Sequence, residues 1–67
     1  MKIFGERLKE LRTEKGLSLI KLAKEIDISD ATICRWENNK ADVGAQEIVI
    51  IAKYFNVSAD YLLGLED

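Results

Sequence analysis

The side chains that carry covalent or metal chemistry are nearly missing from this 67-residue chain, which has no histidine and a single cysteine, Cys34. A lone thiol forms no internal disulfide, and without histidine no zinc-ligand spacing arises. There is no nucleophile elbow, no Gly-rich phosphate loop and no cluster of carboxylates facing a cleft, so catalysis, a metal and a cofactor are not expected. Cys34 is read as an inert thiol. What remains is recognition by hydrogen bonds and charge. The residue types for it are concentrated in Gly16–Lys40, GLSLIKLAKEIDISDATICRWENNK, which the rest of the chain must hold in place.

That stretch reads as two short helices joined by a tight turn. Leu19, Leu22, Ala23 and Ile26 follow the i, i+3, i+4, i+7 spacing of one helical face, with Ser18 before them as an N-cap. The second helix starts at the cap Ser29, with Asp30 in its first turn and Ile28 placed to staple onto Ile33. Its buried face is Ile33 and Trp36. Because Trp36 shares that face, it is expected in the core and not stacked on a ligand. Asp27 falls where the chain reverses and Asn38-Asn39 where it stops, residue types that accept a left-handed backbone. Two short helices around so compact a turn imply a helix-turn-helix, whose second helix fits the DNA major groove.

Three further helices support this unit. The first is predicted from about Ile3 to Glu14, with Phe4, Leu8 and Leu11 inward, and Glu6, Arg7, Lys9, Glu10 and Lys15 on a solvated face before Gly16 ends it. The fourth runs from about Gln46 to Phe55 on Ile48, Ile51, Ala52 and Phe55, after a linker, Lys40–Ala45, whose flexible point is Gly44. The fifth starts at the cap Ser58, with Val57 stapled onto Leu62. The expected fold is all-α, a compact five-helix bundle forming one domain over residues 1–67. A chain this short buries only about 60% of its unfolded surface, which demands a compact, locally connected core.

Charge is unevenly spread. The net formal charge is −2, which alone argues against nucleic acid, yet residues 1–17 carry five basic and three acidic groups, residues 18–40 four and four, and residues 41–67 one and five. A modest electrostatic footprint per molecule follows. No secretory leader is recognisable and no apolar run approaches the roughly 20 residues that span a bilayer, so no membrane partner is expected and the location expected is the cytoplasm.

The ordered set Leu8, Leu11, Arg12, Gly16-Leu17-Ser18, Leu22-Ala23, Ile28-Ser29, Thr32-Ile33, Arg35-Trp36-Glu37-Asn38, Lys40, Ala52 and Val57-Ser58…Asp60-Tyr61-Leu62-Leu63 resembles the phage-repressor and Cro (XRE) family of helix-turn-helix proteins over nearly the whole chain. The resemblance implies a lambda repressor-like domain whose third helix reads double-stranded DNA. It implies base contacts from Asp30, Ala31, Thr32 and Arg35. Arg35 suits a bidentate pair with guanine, its alternative being a surface ion pair; Thr32 suits a base, a phosphate or a thymine methyl; Ala31 suits only a thymine methyl. Asp30 suits cytosine, although its role as a helix-start acid comes first. Phosphate contacts are implied for Ser18, Lys21, Asn38 and Lys40, and a structural pair for Arg12 and Glu37. Leu19 departs from the family's usual glutamine and cannot make its phosphate contact, so either affinity is lower or Lys21 and Lys24 compensate. Asp27 and Asn39 stand where glycines are usual.

One recognition helix reads too few base pairs for useful specificity, so a homodimer on a palindromic operator is expected, with repression of transcription as the leading function. Ile50, Tyr54, Leu63 and Leu65 are the interface candidates, Ile50 foremost because relatives are usually polar there. The competing reading is a helix-turn-helix used as a protein-interaction or antitoxin module with weak DNA binding. Five short helices leave little room for a pocket, so no small-molecule effector is expected.

Overall fold

The computed structural model describes residues 2–67, which form five helices: α1 Lys2–Glu14, α2 Leu19–Ile26, α3 Asp30–Glu37, α4 Ala45–Phe55 and α5 Ala59–Leu62. No described residue is in a strand. The architecture is therefore the all-α, five-helix one that the periodicity predicts. Three helix starts use the same cap: the hydroxyls of Ser18, Ser29 and Ser58 accept from the backbone N–H of Lys21, Thr32 and Tyr61. Gly44 opens α4 without a side-chain cap, and Glu47 supplies negative charge in its first turn.

All five helices also end alike. A residue with positive φ follows each one: Gly16 (70°), Asp27 (58°), Asn39 (57°), Asn56 (56°) and Gly64 (80°). The next N–H then reaches back over the turn, from Leu17 to Arg12 O, Ile28 to Ala23 O, Lys40 to Arg35 O, Val57 to Ala52 O and Leu65 to Asp60 O, at 2.8–3.2 Å. This closure satisfies carbonyls that the helix leaves orphaned and reverses the chain in few residues. Of the Asn38-Asn39 pair it is Asn39 that turns left-handed, while Asn38 has φ −98°.

The core draws on every helix: Phe4 and Leu8, Leu22 and Ile26, Ile33 and Trp36, Ile51 and Ala52, and Leu62. Phe4 and Trp36 meet edge to face, their ring centroids 6.0 Å apart. Leu11, Leu19, Ile48 and Phe55, predicted on the inward stripes, lie half-buried at the margin because so small a bundle cannot enclose four full stripes.

Two residues expected on the solvated face of α1 have other roles. The Arg7 guanidinium lies 4.3 Å from the Tyr61 ring centroid and donates to the backbone carbonyls of Tyr61 and Glu66, binding the end of the chain to α1. The Lys15 ammonium sits 4.3 Å from the Tyr54 ring centroid. Long basic side chains lie along aromatic faces while their charge stays wet, a contact that helical periodicity cannot show. Gly5 has its own role: a Cβ there would overlap the carbonyl oxygen of Trp36 and come within 3.1 Å of that of Glu37. Backbone thus meets backbone where α1 crosses the last turn of α3.

Candidate nucleic-acid interface

Arg12 ties together the parts that hold α3. Its Nε donates to Glu37 Oε2 at 2.7 Å, its Nη2 to Glu37 Oε1 at 2.9 Å, and its Nη1 to the carbonyl of Leu17 at 2.8 Å. The pair is largely dry, with the side chains 13% and 4% exposed. The hydrogen bonds to Glu37 raise the guanidinium pKa above its already high ordinary value; burial opposes this, and the charges of Glu37 and Cys34 add to it. Leu17 adjoins Ser18, and Glu37 adjoins Asn38. One guanidinium therefore fixes the start of α2 against the end of α3, where two of the phosphate candidates stand.

On α3 the face opposite Ile33 and Trp36 is open. Asp30, Ala31 and Arg35 are exposed and Thr32 is half-buried. Arg35 forms no ion pair or hydrogen bond through its side chain with any described residue. Since Ser29 performs the capping, Asp30 acts in the first turn only through its charge. The hydroxyls of Ser29 and Thr32 are also hydrogen-bonded to each other at 2.8 Å. The side-chain amide of Asn38 donates to the Cys34 carbonyl at 2.8 Å, closing the end of α3. Ser18, Lys21 and Lys40 are exposed, whereas Leu19 packs on the core. A shallow depression of about 330 Å³ lies between α2 and the start of α3, lined in part by Ile20, Ala23 and Ile28.

The dimer candidates do not have one common environment. Ile50 and Leu65 are 40% and 73% exposed, while Leu63 is half-buried at the end of α5. Tyr54 is engaged within the chain, edge to face with Phe55, beneath Lys15, and with its hydroxyl 3.5 Å from Glu25 Oε1. Partial desolvation, then the charge of Glu25 and its hydrogen bond, push this phenol above its ordinary pKa. Among the described residues no group of three or more His, Cys, Asp or Glu is placed to hold a metal, and no helix is long and apolar enough to cross a membrane.

The Helix-turn-helix family model HTH_3 matches residues 8–62, from within α1 to the end of α5. The chain belongs to this helix-turn-helix family. It is 36% identical over 64 residues to the HTH-type transcriptional activator BcrR of Enterococcus faecalis, covering 96% of this chain but 31% of that protein. Among solved structures it resembles SinR, a master regulator for biofilm formation, in complex with DNA: TM-score 0.83, 30% identity, 90% of this chain and 97% of that one. The c2 repressor of Salmonella phage P22, crystallised with a synthetic operator, shares the fold at TM-score 0.83 and 24% identity, over 92% and 94% of the two chains. The helix-turn-helix chain spans about a third of BcrR and at most 58% of the next curated relatives. Its sequence kinship is to DNA-binding transcription regulators. Gly5, Arg7 and the carbonyl of Leu17 are structural contributors that the sequence reading missed; a glycine inside a helical pattern was the one available signal.

Proposed function

We propose that this helix-turn-helix chain acts in the cytoplasm as a transcriptional repressor that binds a palindromic operator as a dimer, with α3 in the major groove. The observation that carries the proposal is Arg35: an exposed guanidinium without a side-chain partner among the described residues, held on a helix whose other side is locked by Ile33, Trp36 and the Arg12–Glu37 pair. A donor fork of that kind matches the O6 and N7 acceptors of guanine. Ala31 packs on a thymine methyl, Thr32 offers its hydroxyl, and Asp30 faces a cytosine amino group or remains a helix-start charge. Ser18, Lys21, Asn38 and Lys40 take phosphates, two by charge and two by neutral donors. Ile50, with Leu65, supplies apolar surface for the two-fold contact, and Tyr54 and Leu63 flank it.

The test is selection of bound sites from random duplex DNA with the unmodified chain and with Arg35→Ala, at two salt concentrations. The expected result is a palindrome in which the variant loses one specified guanine per half-site. Two lysines per protomer on phosphate give a log–log salt slope of about −4 for the dimer. Failure to enrich any site at low salt would overturn the proposal in favour of a protein-interaction module.

A further inference from the structure

We propose that the outer face of α4 is an isologous contact, in which Gln46, Val49, Ile50 and Lys53 pack antiparallel against the same residues of a second copy of this chain. This rests on the dimeric reading above and gives it a register. The four residues stand at i, i+3, i+4 and i+7, and all are exposed. Val49 and Ile50, 47% and 40% exposed, belong neither to the core nor to the half-buried ring around it. β-Branched residues are also poorer helix formers than the straight-chain polar residues that suit a solvated helix face. Among the described residues neither has a packing role that would offset this.

Two features make the stripe its own complement. Its order is polar, apolar, apolar, polar, which reads the same in both directions. A two-fold axis between Val49 and Ile50 therefore sets Val49 on the partner's Ile50 and the first turn of α4, with Gln46, on the partner's Lys53. The ends of α4 also carry opposite charge, Glu47 in the first turn and Lys53 in the last. Antiparallel packing brings the acidic end of each copy to the basic end of the other, whereas parallel packing would oppose like charges. The reading surface stays clear, since α3 packs chiefly on α1 and α2, and α4 on α2 and α5. The described body measures 28 × 23 × 20 Å, so two copies touching through α4 stand close enough to serve half-sites one DNA turn, about 34 Å, apart. So short a stripe falls well below the roughly 20–30 residues a side of a stable complex. The pair therefore forms on the operator, where one bound copy raises the effective concentration of the next.

The test measures cooperativity, the affinity for the selected palindrome relative to two independent half-sites, with melting midpoints alongside. Lys53→Glu alone and Glu47→Lys alone each oppose like charges at both contacts and lose cooperativity about tenfold, while binding to a half-site duplex is kept. Ile50→Ser loses about as much. Mixing the Lys53→Glu chain with the Glu47→Lys chain restores cooperativity, because the mixed pair has opposite charges at both contacts. A merely structural role of either residue would give no such rescue. Variants as cooperative as the unmodified chain, or a mixture that stays uncooperative, overturn the α4 packing and leave the dimeric reading standing. An unmodified chain that enriches no duplex, or prefers the palindrome no more than two half-sites, overturns both.

Discussion

Replacing Glu37 by alanine removes both carboxylate bonds to Arg12 and leaves a guanidinium, 13% exposed, with the Leu17 carbonyl as its one acceptor. Breaking a dry ion pair from one side costs about 3–5 kcal/mol, because the remaining charge is stranded away from water. A chain of this length has a total stability of about 3–10 kcal/mol. The substitution therefore removes between a third and all of it. With an unfolding entropy of about 0.14 kcal/mol/K for this size, a loss of 3 kcal/mol lowers the midpoint by roughly 20 °C. Circular dichroism melts, with Trp36 fluorescence as a second probe, measure this directly, and operator binding should fall in step with the folded fraction. The Arg12 pKa is raised, so the stability this group contributes is fully present below the ordinary guanidinium range and lost only as pH rises through the still higher folded value; between about pH 6 and 9 its contribution is constant. A Glu37→Ala chain that keeps its midpoint but loses DNA would refute the reasoning. The pair would then serve recognition and not the fold.

Two further substitutions test the backbone. Gly5→Ala gains about 1 kcal/mol of helix propensity but drives a methyl into the carbonyls of Trp36 and Glu37, an overpacking cost of about 1–3 kcal/mol, so the urea midpoint should fall; a rise would show that α1 can shift freely on α3. Asn56→Gly relieves an L-residue held at φ 56° on the link between α4 and α5 and should stabilise by about 0.5–1 kcal/mol, read as a higher urea midpoint with unchanged m and unchanged DNA affinity.

Much of the fold was legible because local chemistry and global packing agree. Ser18, Ser29 and Ser58 cap where they were expected to, and Gly16 and Asp27 turn the chain where the apolar pattern breaks. Asn56 closes α4 by the same chemistry but was hidden, since asparagine is equally at home in a cap, a turn or a solvated face. Arg7 was out of reach for another reason: its partners Tyr61 and Glu66 lie more than fifty positions away, and two of its bonds go to backbone carbonyls that any residue could provide. Gly5 shows the same limit, because its neighbours are peptide groups of α3 and not recognisable side chains. At the candidate interface, the spacing of Ile33 and Trp36 implied which side of α3 is open. The three-way role of Arg12 needed coordinates, since nothing in the residue Leu17 marks its carbonyl as an acceptor.

The open side of α3 has a bearing on how such a chain can diverge. The side chains of Ala31 and Arg35 take no part in bonds among the described residues, whereas Gly5, Arg12, Trp36 and Glu37, directly behind them, carry much of the packing and bonding. Residues outside the packing tolerate exchange at little cost, and residues inside it do not. The two sets lie on opposite sides of one eight-residue helix. A duplicated copy can therefore drift in what its outer residues touch, one substitution at a time, while its inherited scaffold stays intact, and the two copies can part company without passing through an unfolded ancestor.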